Sequence, residues 1–191
     1  MANQGNEMNL EEELQQLRST VRYLKDRQDI LDCITRETRG RDRFEAALTS
    51  GCYWPEGADE HGRFVSPGPE YGEKANAGHR GAFSANSHNL TNHLCEIDGD
   101  VAYCETYVMG GLLSHDQKTC KIALGRYFDQ LERRNGEWKI LRRRGTVDMV
   151  VDGDASWLHT PPVRGFMKGQ RSKDDPSYQR PIEFDSTHER W

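Results

Sequence analysis

The stretch Ser87 to Val108, S-H-N-L-T-N-H-L-C-E-I-D-G-D-V-A-Y-C-E-T-Y-V, decides how the chain is read. Two alternating runs flank Asp98-Gly99-Asp100, and a D-G step between such runs is a strong local signal for a β-hairpin. His88 stands at the start of the first strand. Alternation puts Leu90, Asn92, Leu94 and Glu96 on its face and His93, Cys95 and Ile97 on the other. Two histidines five apart on one regular strand point opposite ways, so His88 and His93 are expected not to share a metal ion.

A second hairpin is expected further on. Runs over 120–132 and 137–151 are joined by Arg134-Asn135-Gly136-Glu137, and N-G is again a turn signature. Before the strands, Leu10, Leu14, Leu17, Val21 and Leu24 recur at three- and four-residue spacings among Glu, Gln, Arg and Lys, which predicts an amphipathic helix. It either continues through Ile30 and Ile34 towards Thr38 or gives way to a second helix capped by Asp26 or Asp29. Gly40 is expected to end it. A short helix at Phe44 to Leu48 follows, then a glycine- and proline-rich stretch from Pro55 to Gly81 that reads as a long loop over a pocket.

The 191 residues carry 26 Lys and Arg against 31 Asp and Glu, a formal charge of -5. With mean hydropathy at -0.91 and only 35% hydrophobic residues, the polar excess is assigned to the ends. The expected organisation is a polar tail over 1–9, one domain over 10–151 and an extended tail over 152–191, anchored by Trp157, Leu158 and Phe166. A net acidic chain lacks the basic face that phosphate binding needs, so nucleic acid is not an expected partner. No apolar run is long enough to span a membrane and no secretory leader is evident, which predicts a cytoplasmic protein with no membrane partner. Five cysteines without a C-x-x-C pair are expected to be simple thiols rather than disulfides or zinc ligands.

Helices followed by long antiparallel strands describe an α+β fold in which a curved sheet closes over a helix to form a conical barrel. At this level specific motifs enter: R-Q-D-I-L-D-C from Arg27, G-R-D-R-F from Gly40, C-Y-W-P-E-G-A-D-E-H-G from Cys52, H-N-L-T-N-H from His88 and R-R-N-G-E-W-K-I from Arg133. Over about 17–151 the chain resembles the SnoaL-like branch of the NTF2-like superfamily, which includes dehydratases and a dehydrochlorinase. The Cys52 motif and the long tail resemble most the lignin-catabolic members from sphingomonads, in which loss of formaldehyde yields a stilbene.

The resemblance implies a cofactor-independent lyase without a metal, in which His88 is the base and Asp42 orients it. A carboxylate on one imidazole nitrogen sets the tautomer and leaves the other as an acceptor near neutral pH. It also implies a catalytic role for Arg143 on the last strand, where alternation sets Arg143 opposite Trp138, Ile140, Arg142 and Arg144. Tyr53 is the expected hydroxyl contact to substrate. Trp54, Phe83, Tyr107 and Tyr127 are candidate substrate-binding aromatics, while His61, His79, His93, His115, His159 and His188 read as loop or surface residues. The expected partners are a small aromatic substrate and two further copies in a homotrimer, associated through the outer face of the Cys120 to Val151 strands. The superfamily leaves two other functions open: a non-catalytic ligand carrier, and a small subunit like that of ring-hydroxylating dioxygenases.

Overall fold

The computed structural model describes residues 9–184 and 187–191. Helix α1 (Leu10–Asp42) opens with a reciprocal cap: Asn9 accepts from the Glu12 N–H while the Glu12 carboxylate accepts from the Asn9 N–H. Such a cap contributes about 1 kcal/mol. The helix is continuous. Gly40 does not end it, because a residue without a Cβ is what lets α1 pass Thr49 of helix α2 (Ala46–Ser50); an added Cβ would lie 2.3 Å from Thr49 Oγ1. The helix changes character along its length. Its first half leaves Leu10, Leu14, Leu17, Val21 and Leu24 exposed, whereas Ile30, Cys33 and Ile34 in the second half are fully buried.

Six strands form one sheet: β1 (Tyr53–His61), β2 (Phe64–Pro67), β3 (Ala85–Asp98), β4 (Val101–Leu113), β5 (Thr119–Arg134) and β6 (Glu137–Asp154). Their order is β2-β1-β6-β5-β4-β3, antiparallel except where β1 runs parallel to β6. Helix α3 (Gly68–Ala82) precedes β3. The two expected turns are present: Asp98 pairs with Val101 around Gly99, and Arg134 pairs with Glu137 around Asn135 and Gly136. Gly99, Asn135 and Gly136 all have positive φ.

The stretch expected as a long loop, Pro55 to Gly81, is almost wholly regular: most of β1, then β2 and most of α3. Its glycines serve packing as well as turning. Gly68 lies against the Tyr53 ring and Gly72 against the Ala46 carbonyl, where a Cβ would come within 2.5 Å of both. Pro69 stands in the first turn of α3, where its missing N–H costs nothing.

Strand alternation is broken where one strand carries an extra residue. On β3, Leu90 pairs with Val108 but His93 pairs with Thr106, so Thr91 and Asn92 together face Tyr107 alone. On β6, Leu131 pairs with Ile140 but Gln130 with Arg142, which makes Leu141 the extra residue. Each bulge exchanges the faces beyond it. His88, His93 and Cys95 therefore all turn towards the helices, as do Trp138, Ile140 and Arg143, and the alternation expected for both strands does not hold. Arg142 and Arg144 remain outside.

The core of Ile30, Ile34, Tyr53, Tyr71, Leu131, Trp138 and Ile140 fills the space between sheet and helices. Trp138 donates its indole N–H to Asp26 at 2.9 Å, and Arg133 clamps that carboxylate at 2.7 and 2.8 Å. Beyond β6 the chain folds back over α1 and α2. Arg43 pairs with Asp175, Tyr178 bonds Glu45, and Arg171 stacks on Phe44. Trp157 and Phe166, expected as anchors, are 63% and 67% exposed; Ala155, Val163 and Asp175 are the buried ones among the described residues of this segment. Among the described residues no helix is long and apolar enough to cross a membrane.

Candidate active site

The last turn of α1 delivers Asp42 to the start of β3. Its carboxylate accepts three hydrogen bonds: from His88 Nδ1 at 2.6 Å, from the His88 backbone N–H at 2.8 Å and from Asn86 Nδ2 at 3.0 Å. Burial pushes the Asp42 pKa up, but the bonds from His88 outweigh it and hold the group below the usual carboxylate range. The same Arg41 that precedes Asp42 brings its Nη1 to 3.4 Å from His88 Nε2. A carboxylate only accepts and a guanidinium only donates, so the pair of neighbours selects the neutral ring with its proton on Nδ1 and a lone pair on Nε2.

Burial, followed by the Arg41 charge, moves the His88 pKa below its ordinary value, against the raising pull of Asp42. The carboxylate alone would give the opposite sign. His79 of α3 packs edge-on against His88, with ring centroids 5.3 Å apart. Its pKa is pushed down to about 3 by burial and by the neighbouring His88 and Arg41 charges, and its Nδ1 is buried without a partner.

Arg41 links this pair to a buried charge network. It bonds Glu37 and donates to the Tyr127 hydroxyl, both at 3.0 Å. Glu37 also binds Arg143, which holds Asp129 through two bonds of 2.6 and 2.8 Å. The Arg143 side chain is fully buried and its guanidinium lies 4.5 Å from the Tyr127 ring centroid. Arg143 is thus held by two carboxylates; Arg41 is the guanidinium beside His88.

A second histidine and aspartate meet across the same interior. Tyr53 donates to Asp59 at 2.7 Å, and His61 Nδ1 lies 3.3 Å from Asp59 and 3.0 Å from the Tyr71 hydroxyl. The His61 ring stands 6.0 Å from Tyr127 and 5.8 Å from Tyr71. The structure thus brings together Asp42, His88, Arg143, Tyr53 and Tyr127 in one connected interior, with Arg41, Glu37, Tyr71, His61 and His79 between them. It does not bring in Tyr107, whose position between inward-facing Thr106 and Val108 turns it outward against Arg126. Trp54 donates its indole N–H to the Glu132 carbonyl and is covered by Arg134 and Lys139; Phe83 is half-buried at the end of α3.

Arg41 was legible only as part of a helix end, although the Glu37 and Arg41 spacing of four marks an ion pair. His61 and His79, expected at the surface, were hidden by the reading of their segment as a loop. Two hollows flank these groups. One of about 390 Å³ lies between the tail and the α3–β3 junction, lined by Phe44, Arg80, Ala85 and Arg171. Arg171 approaches Asn86, the residue that bonds Asp42, at 3.5 Å. The other, about 620 Å³, lies over the outward side chains of Val65, Leu94, Tyr103, Phe128, Arg142 and Arg144, on the far side of the sheet from His88.

Similar architectures occur in solved structures. A dehydrochlorinase of hexachlorocyclohexane from Novosphingobium barchaimii superposes with a TM-score of 0.65 at 19% identity, over 70% of this chain and 94% of that one. A candidate scytalone dehydratase from Novosphingobium aromaticivorans gives 0.63 at 18% identity, over 70% and 91%. A Mycobacterium tuberculosis protein of unknown function gives 0.60 at 27% identity, over 68% and 75%. No curated protein sequence matches significantly. The family model for the SnoaL-like domain matches residues 22–144, which includes α1 from its fourth turn, Asp42, His88 and Arg143. A helix-backed, curved six-stranded sheet and that match together make the chain a member of the SnoaL-like family within the NTF2-like superfamily.

Proposed function

We propose that the protein is a cofactor-independent lyase acting on a small aromatic substrate, with His88 as the base that removes a proton. The observation that carries this reading is the 2.6 Å contact between Asp42 and His88 Nδ1, which leaves Nε2 unprotonated. The low His88 pKa keeps the imidazole in its basic form across the neutral range. As Nε2 takes a proton, Asp42 stabilises the imidazolium that forms.

Arg41 has the position to hold negative charge developing on a substrate oxygen or leaving group; its charge-assisted bonds would strengthen as that charge grows. Arg143 would act through Glu37 and Tyr127, fixing Arg41 rather than touching substrate. Tyr53 would likewise set Asp59 and His61, and Tyr127 and Phe83 are proposed to supply aromatic surface.

The chemistry that fits is loss of water, or of formaldehyde from a phenolic diarylpropane to give a stilbene. In the second case the phenol gives up its proton and the benzylic hydroxyl departs, together as water, to leave a quinone-methide-like species. His88 then takes the proton of the side-chain alcohol, and the carbon–carbon bond breaks with release of formaldehyde. A ligand carrier of the same fold has no need of a buried carboxylate on a histidine, so the pair supports the catalytic reading. We further propose a homotrimer formed through the outer face of β5 and β6, where Ile122, Phe128, Met149 and Val151 are exposed.

The test is incubation of the purified protein with phenolic diaryl and alicyclic alcohols, followed by mass spectrometry. Products lighter by water, or by water and formaldehyde together, formed by the wild type and not by His88→Ala, are expected. Conversion unaffected by that substitution would overturn the reading.

A further inference from the structure

A second cluster lies on the inner side of β3 and β4, apart from the Asp42–His88 pair. Cys95 and Cys104 are direct cross-strand partners and both are buried. The β3 bulge turns His93 onto the same face. A ring nitrogen of His93 and the two Sγ atoms all lie within 4.8 Å of one another. His93 Nδ1 is engaged by Thr106 Oγ1 at 2.8 Å, and Thr106 is itself fully buried. The other nitrogen, Nε2, is buried and has no hydrogen-bond partner.

That orphan nitrogen requires an explanation. An unpaired buried polar atom costs about 1 to 3 kcal/mol, and core histidines are ordinarily satisfied on both nitrogens. Its setting matches that of a metal ligand: one nitrogen is oriented by a hydroxyl, the other is left unpaired, and two soft donors lie on the same face of the sheet. Tetrahedral binding of zinc, with metal–sulfur distances of about 2.3 Å and metal–nitrogen distances of about 2.0 Å, brings ligand atoms to about 3.5 to 3.8 Å from one another. Closing the triad from a spacing of at most 4.8 Å needs the donor atoms to approach by no more than about 1.3 Å.

We propose that His93, Cys95 and Cys104 form a binding site for a thiophilic d10 cation, Zn2+ or Cu+. Two thiolates and one imidazole are the donor set that such ions select over Mg2+ or Ca2+. Binding releases the two thiol protons, so Zn2+ leaves the site neutral and Cu+ leaves it with one negative charge. Arg27, whose Nη1 donates to the Cys95 carbonyl at 2.8 Å, places a positive charge at the rim that favours the thiolate form. The ion would tie β3 to β4 just beyond the bulge, and its role would be to hold that distortion rather than to join the proton chemistry at His88.

The experiment uses the full-length protein, fully reduced and handled without oxygen. Zn2+ and Cu+ are titrated separately in competition with a chromophoric chelator, with Co2+ as an optical probe of thiolate ligation. One equivalent of at least one ion is expected to bind, with sulfur-to-cobalt charge transfer. Cys95→Ser, Cys104→Ser and His93→Gln should each weaken binding by tenfold or more, while Cys120→Ser leaves it unchanged. Should a variant fail to fold, alkylation of the wild type mapped by mass spectrometry decides: bound metal must protect Cys95 and Cys104. Equal affinity in wild type and Cys95→Ser, protection of neither thiol, or a reduced protein that takes up neither ion would overturn the site.

Discussion

Two histidine–aspartate pairs lie in one interior, and they are not equivalent. Asp42 meets His88 at 2.6 Å, takes the His88 backbone N–H as well, and the ring is buried beneath Arg41. Asp59 meets His61 at 3.3 Å, the same His61 nitrogen also contacts Tyr71, and the side chain is 43% exposed. In the first pair every neighbour agrees on where the proton sits. In the second, carboxylate and phenol compete for one nitrogen. Sequence proximity of His and Asp is therefore a poor guide to a base; what matters is whether the rest of the shell selects one protonation state.

The sharpest test of that distinction is substitution of each histidine. His88→Ala should lower turnover by about a hundredfold to ten-thousandfold, the usual worth of general-base assistance. His61→Ala should lower it by about tenfold or less, consistent with a group that only shapes the interior. Equal losses, measured on variants with wild-type circular dichroism, would erase the difference between the pairs. Removing a charge from the shared network comes next in size. Glu37→Gln leaves Arg41 and Arg143 short of a counter-charge and should cost about 3 to 5 kcal/mol in denaturant unfolding, as loss of one partner from a buried pair does.

Acidity gives a third, smaller lever. His79 and His88 both have folded pKa values below their unfolded ones, so below about pH 6.5 the unfolded chain binds protons that the folded one refuses. Stability should accordingly decline as pH falls from 6.5 towards about 3, the folded value for His79. His79→Leu should flatten that decline, read as urea midpoints at pH 7 and pH 5. For turnover the same shift predicts a plateau through neutrality and an acid limb below the ordinary histidine range; a midpoint above it would mean that Asp42 outweighs Arg41. The smallest effect belongs outside the sheet: Arg142→Ala should change stability by no more than about 0.5 kcal/mol.

The sequence made the hairpins readable because Gly99, Asn135 and Gly136 supply positive φ that few other residues adopt, and the first half of α1 because Leu10 to Leu24 recur at helical spacing, although the buried half is the one beyond, whose continuity the sequence leaves open. Asp42 and His88 came from resemblance; nothing in their spacing of 46 residues joins them without a fold. The stretch from Pro55 to Gly81 misled because glycine has two uses. At Gly62 it permits a left-handed turn, whereas at Gly68 and Gly72 it permits close approach inside ordinary helix, and composition does not separate the two. The inward position of His93 was out of reach for another reason. A bulge leaves no compositional mark in T-N-H-L, yet it decides which groups that strand presents to the interior.

That last point reaches beyond this site. A strand with one supernumerary residue behaves as a phase shift, and everything downstream is read in the other register. Were Leu141 to pair regularly with Gln130 instead of bulging, the arginine run R-R-R would keep its composition, yet Arg142 would meet Asp129 and Arg143 would turn into water. A single-residue insertion or deletion in β3 or β6 is thus chemically larger than most substitutions there. When distant members of the family are aligned, where the gaps fall in these strands will decide which residues are truly comparable.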